Sequence, residues 1–259
     1  MPFTPAHTLA IVPLARVRAL TPAALAIGSM IPDLWAFMPG APAYSDSHSW
    51  TRGPISGVVY GLIAFVLFRV CRGPAIAFAP EHARRKLAPY AAHELHMGMR
   101  GWGSVVLSLV LGVWTHIFWD SFTHAGALGT VWFPQLMTDW ISVWGRPWRG
   151  YKVLQLGSAA IGLPVLAWLI ARWYARLPVD GSAAMTPAGF VLRALGVALI
   201  VAAPIAALCV SWGTGFSEPQ AFELLVRQLV TRTISLYAFG VVALALLALF
   251  RSFHSQPGP

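Results

Sequence analysis

The chain has 259 residues, of which 57% are hydrophobic and only 10% charged, with a mean hydropathy of +0.65; a soluble domain carries roughly 25% charged residues. Its 18 Lys and Arg outnumber 9 Asp and Glu for a formal net charge of +9, but these basic residues cluster between apolar runs, where they act as topology determinants and lipid-headgroup contacts. Composition therefore excludes a soluble enzyme and a nucleic-acid binder, and indicates an all-α, multi-pass helical membrane protein.

In chain order, residues 3–15 are apolar but interrupted by Pro5 and Pro13 and too short to span. They predict a short helix or half of a re-entrant hairpin. Residues 20–38 form the next apolar run, with Asp33 behind Pro32, an acid that needs a partner if it is buried. A polar, turn-rich connection at 39–53 carries Asp46, His48 and Arg52. Residues 54–71 give about 27 Å of helical rise, enough to cross. The stretch 69–100 holds Arg69, Arg72, Arg84, Arg85, Lys86 and Arg100, and the positive-inside rule places it in the cytoplasm.

Residues 103–123 then cross outward, and the Trp-rich 125–150 is expected at the interface. Residues 151–173, 190–212 and 234–250 complete a set of five or six spans, depending on whether 20–38 crosses. Arg146, Arg149 and Lys152 load the outer side and run against this orientation. Three regions follow: a membrane-embedded domain at 1–175, a C-terminal pair of helices at 176–251 and a disordered tail at 252–259. Cys71 and Cys209 have no spacing that suggests a disulfide or structural zinc. No cleaved signal peptide is expected, because Arg16 and Arg18 follow the first apolar stretch instead of preceding it.

The chemistry concentrates in the span at 103–123, where His116, Asp120 and His124 stand at i, i+4 and i+8. On a helix these project from one face. Ionisable side chains in a membrane span usually turn inward and serve a site or a pathway. The plainer alternative is a polar face satisfied by hydrogen bonds to neighbouring helices. His116 and Asp120, one turn apart, can share a cation; His124 lies farther along and suits a second metal or an orienting role. Asp33 and His48 fall toward the same outer side. His7 joins them only if residues 3–38 double back. Nitrogen and carboxylate donors without thiolate suit zinc, manganese or iron. Arg52 is placed to clamp an anion, or else to snorkel to the headgroups. His93, Glu94 and His96, with His82, are expected as solvated surface on the opposite side. There is no nucleophile elbow, P-loop or dinucleotide fingerprint.

Several motifs together resemble a known group: Pro5-Ala6-His7, Gly28-Ser29-Met30-Ile31-Pro32-Asp33, His48-Ser49, His116-x-x-Trp119-Asp120-Ser121-x-Thr123-His124, and Tyr151-Lys152-x-Leu154-Gln155-x-Gly157-Ser158. They resemble the bacterial membrane family called domain of unknown function 4184, over residues 1 to about 175. More distantly, the chain is similar to LexA-regulated inner-membrane metal-dependent hydrolases. That second resemblance implies His7, Asp33, His48, His116 and Asp120 as metal ligands, and it favours the hairpin that brings His7 to Asp33. Ala43, Tyr44 and Ser45 stand where the hydrolases have His-Arg-Gly, and His124 is typical of the first family.

The expectation is a hydrolase in the bacterial cytoplasmic membrane with a divalent metal, zinc or manganese, near the outer face. Its substrate would be an ester or phosphoester of a lipid or lipid-linked molecule, with His124 as ligand or proton donor and Arg52 holding an anionic group. A proton or metal-ion transporter and a degenerate scaffold are the competing readings.

Overall fold

The computed structural model describes residues 4–38, 43–77, 79–91, 97–143, 145–179, 187–212 and 221–254. The main helices are α1 (Pro22–Gly28), α2 (Tyr44–Ser47), α3 (Arg52–Ala77), α4 (Glu81–Leu87), α5 (Met99–Thr123), α6 (Leu128–Trp132), α7 (Gly150–Arg176), α8 (Pro187–Trp212) and α9 (Ala221–His254). A small antiparallel hairpin, β1 (Asp139–Val143) and β2 (Arg146–Arg149), lies between α6 and α7. The protein is overwhelmingly helical. Among the described residues, four helical stretches are long and apolar enough to cross a membrane: Arg52–Ala77, Met99–Thr123, Gly150–Arg176 and Gln228–Ala248. Helix α8 carries a shorter apolar stretch, Ala194–Cys209.

The N-terminal segment doubles back. Residues 4–9 and 14–16 form 3-10 turns, α1 follows, and a further 3-10 turn runs Ile31–Ala36. Residues 20–38 are therefore not one crossing helix. Pro32 has no N–H to continue the ladder of α1, and the chain tightens into 3-10 geometry there. The turnaround brings Thr4 against Asp33, 29 positions later, with the Thr4 hydroxyl donating to Asp33 Oδ2 at 2.5 Å.

Helix α5 is the centre of the molecule, with half of its apolar stretch buried. Between apolar helices in lipid there is little hydrophobic drive, so close backbone approach through small residues carries the packing. Gly53, Gly57 and Gly61 of α3 sit directly against Ile117, Val113 and Leu109 of α5, an antiparallel register repeated every four residues. Two positions along from these glycines, Ile55, Val59 and Ile63 point outward and stay exposed. They lie on the face opposite the glycines.

Helix α1 crosses α5 backbone to backbone. A Cβ on Gly28 would collide with the Leu109 carbonyl, and one on Gly112 with the Leu25 carbonyl. Phe65, Val105, Leu109 and Ala24 close the apolar core beneath this crossing.

The other elements dock on this frame. Helix α9 packs on α3 and pairs with α8, and Ser235 donates to the Phe37 carbonyl at 2.7 Å. Lys86 of the basic segment donates to the Tyr174 and Ala175 carbonyls at 3.0 and 3.4 Å. That caps the C-terminal end of α7, where unpaired carbonyls favour a cation. The interfacial stretch after α5 is mixed, with the hairpin turning at Gly145 (φ +74°) and Trp140 packed on Gly150. His93, Glu94 and His96, and the tail from Ser255 onward, lie outside the described residues.

Candidate metal centre

Antiparallel packing of α3 on α5 brings the start of one helix to the end of the other. His48, four residues before α3, thereby meets His116 and Asp120 in the last turns of α5. The doubled-back N-terminal segment adds Asp33 from one arm and His7 from the other. Asp33 and His116 are fully buried, and Asp120 nearly so.

Each of Asp33, His48, His116 and Asp120 offers a ligand atom within 4.8 Å of the others. His48 Nε2 lies 3.3 Å from His116 Nε2, 3.4 Å from Asp120 Oδ2 and 3.6 Å from Asp33 Oδ1. His116 Nε2 lies 3.5 Å from Asp120 Oδ2 and 3.9 Å from Asp33 Oδ1. These separations are long for hydrogen bonds, which favour 2.7–3.2 Å. Among His48, His116 and Asp120 they lie close to the edge of a tetrahedron, about 3.4 Å for metal–ligand bonds of about 2.0–2.1 Å, while Asp33 stands somewhat wider, at 3.6 and 3.9 Å from the two imidazoles.

The surrounding hydrogen bonds leave the right lone pairs facing inward. His116 Nδ1 is 2.8 Å from the Ser29 carbonyl, which can only accept. That nitrogen carries the proton, so Nε2 of the neutral ring presents its lone pair to the cluster. The Ser47 hydroxyl donates to the Tyr44 carbonyl at 3.3 Å, and His48 Nδ1, 3.0 Å from the same hydroxyl, donates to it. His48 Nε2 is then bare as well. Asp120 Oδ2 is buried with no hydrogen-bond partner among the described residues, although nitrogens of His48, His116 and His124 all stand 3.4–3.5 Å away. With both imidazoles in the neutral form that ligation requires, the two carboxylates give the set a charge of −2. A divalent cation would neutralise it, which an apolar surround demands.

His7 and His124 flank this set. His7 stacks on His116 with ring centroids 4.1 Å apart, and its Nε2 is 3.5 Å from Asp120 Oδ1. His124 sits just past the end of α5. Its Nδ1 donates to the Asp120 backbone carbonyl at 3.2 Å, and its Nε2 accepts from Gln155 at 3.2 Å. Lys152 in turn donates to Gln155 Oε1 at 2.9 Å. His124 thus has both nitrogens engaged and braces Asp120. Arg52 is not brought to the cluster; its guanidinium is largely exposed and pairs with Asp46 at 3.0 Å.

The electrostatics of the groups outside the crossing helices follow from burial set against two nearby carboxylates. Burial, then the neighbouring His116, pushes His7 down to about 4 against the pull of Asp120 and Asp33. Burial would also lower His48, but Asp120 and Asp33 outweigh it and raise the imidazole above its usual value. For Asp33 burial opposes the charge, yet His48, His116 and Thr4 hold its carboxyl well below the usual range. Burial and the same two carboxylates push Tyr44 up to about 12. Its ring stacks on His48 at 3.9 Å.

Thr4, the Ser29 carbonyl, Ser47 and Gln155 are site residues that the sequence did not single out for a role. Ser29 and Gln155 stand within motifs of the family resemblance; Thr4, Ser29 and Ser47 act through a hydroxyl or a backbone oxygen, which no spacing rule reveals.

The family model for a domain of unknown function (DUF4184) matches residues 1–246. No curated protein and no solved structure matches the chain.

Proposed function

The chain belongs to this family, which assigns no activity, and we propose from the geometry of the site that it is a multi-pass, membrane-embedded, metal-dependent hydrolase. Its substrate is an ester or phosphoester of a lipid or lipid-linked molecule, in the bacterial cytoplasmic membrane, with the site toward the outer face. The observation that carries this reading is the set of four ligand atoms within 4.8 Å of one another, among them a buried Asp120 oxygen with no hydrogen-bond partner among the described residues.

Asp33, His48, His116 and Asp120 would hold the ion. Zinc or manganese fits the donors, and when bound supplies Lewis acidity to the scissile group and to water. His7 is beside the site with Nδ1 unpartnered among the described residues. It is placed to take or return a proton. His124, fixed by Gln155, keeps Asp120 aimed at the ion. Thr4 does the same for Asp33, and the Ser29 carbonyl for His116.

Elemental analysis of detergent-purified protein, beside His116→Ala and Asp120→Ala checked for monodispersity, tests the reading. Near-stoichiometric metal in the wild type and its loss in both folded variants is the expected result, to be followed by a screen of lipid esters and phosphoesters. No retained metal, and no binding on adding zinc or manganese, would sink the hydrolase and favour flux assays for a transporter.

A further inference from the structure

Two cavities meet at Asp120, and they differ in character. One, of about 660 Å³, runs between the N-terminal 3-10 turn, α5 and α7, with walls that include Ala6, Leu9, Trp119, Leu154, Gly157 and Ile161. The other, of about 320 Å³, lies between α2, α5 and α6 and is lined by Tyr44, Ser45, His48, Ser121 and His124 among others. Asp120 is the residue common to both linings. The larger falls within the range of about 300–1,000 Å³ seen for small-molecule sites.

We propose that the larger cavity holds one acyl chain of a membrane lipid, with the polar linkage at Asp120 and the headgroup in the smaller cavity, the more polar of the two. This rests on the hydrolase reading for the bond that is cleaved, and on the cavities alone for the chain that is bound.

The occupant follows from the surroundings. Helix α7, which forms one wall, is long and apolar enough to cross a membrane, and its neighbouring Ile161, Val165 and Trp168 are exposed. They would face hydrocarbon. Of the residues lining the cavity, His7 and Thr123 contact Asp120 and Gln155 bonds His124 at the metal centre, whereas Leu9, Ala10 and Leu154 are apolar. From Gln155 to Gly162 the helix rises about 10 Å. Water along such walls would find few partners.

A chain moving from bilayer to groove exchanges one apolar environment for another, so hydrophobic transfer contributes little. Selection must come from packing and from the anchored polar end. Gly157 sets the width. A Cβ built there meets nothing within 4 Å, whereas at Gly162 it would press on Ala6 and Leu9 at 3.3 Å. The groove is thus open at Gly157 and closed one and a half turns farther along.

The test uses the full chain in nanodiscs doped with a phosphatidylglycerol carrying a photoreactive diazirine at the end of one acyl chain. Adducts are mapped by mass spectrometry and metal content is measured on the same samples. Wild type and Gly157→Ala should label Leu9 or Leu154, which are half-buried in the groove wall. Gly157→Trp fills the open space and should cut that labelling by about tenfold, equivalent to ~1.4 kcal/mol, with metal content unchanged. Labelling confined to the outer surfaces of α7 and α9, or groove labelling indifferent to Gly157→Trp in a protein of wild-type metal content, would overturn the proposal. Groove labelling that Gly157→Trp abolishes in a protein without metal would support the chain site and defeat the hydrolase reading instead.

Discussion

The Ser29 carbonyl fixes which nitrogen of His116 carries the proton, and Thr4 fixes the direction of Asp33. Such outer partners typically change metal affinity by about 10–100-fold when removed. Thr4→Val is therefore expected to weaken zinc binding by about that factor in competition with a fluorescent chelator, while the stoichiometry at saturating zinc stays as in the wild type. Protons compete for the same atoms. In the metal-free protein the two carboxylates raise the His48 value, and a ligand must be neutral. Affinity should rise with pH through that raised value and fall as acid is added, with proton release on binding seen by calorimetry in two buffers. The linkage to folding has the same sense at His7: its value falls from 6.5 to about 4, so the unfolded chain binds the proton first. Stability should drop as pH falls from about 6.5 towards 4 and level off below that window.

At the scale of the elements, the crossings of α1 on α5 and of α3 on α5 set the depth of every ligand. Gly28 and Gly112 allow two backbones to touch, and a side chain at either must push against a carbonyl rather than a mobile side-chain tip. Gly112→Leu is expected to destabilise by at least the roughly 1–3 kcal/mol typical of overpacking, read as a lower thermal midpoint in detergent, and to lose metal with it. Gly157→Ala, with open space at its Cβ, should leave the midpoint unchanged or raise it, since Ala favours helix over Gly. Gly53, Gly57 and Gly61 stand four residues apart in the sequence, but apolar composition identified only the span; the packed face became visible in the contacts with Ile117, Val113 and Leu109. Of the two readings open for 20–38, a crossing helix or one arm of a hairpin, the structure shows the doubled-back one, and the local reason is the missing N–H of Pro32.

For the whole molecule, the orientation in the membrane rests on the basic segment around Arg84, Arg85 and Lys86, which lies at the end of α7 opposite Lys152 and Gln155. A reporter inserted at Gly145, the turn of the hairpin, is expected to read on the outer side; a cytoplasmic reading would invert the topology and move the site to the inner face. The sequence by itself determined the helical, lipid-compatible class, because apolar length and low charge are properties of the chain alone. It also determined that His116 and Asp120 share a face, because four residues nearly close a helical turn. Only the tertiary structure decided that Asp33 and His48 join them, that His7 and His124 stand at the flanks, and that Arg52 stays with Asp46. Those relations depend on a turnaround and on helix crossings whose partners lie as far apart as His7 and Asp120, 113 positions, and no periodicity within one segment encodes which distant backbone will come into contact.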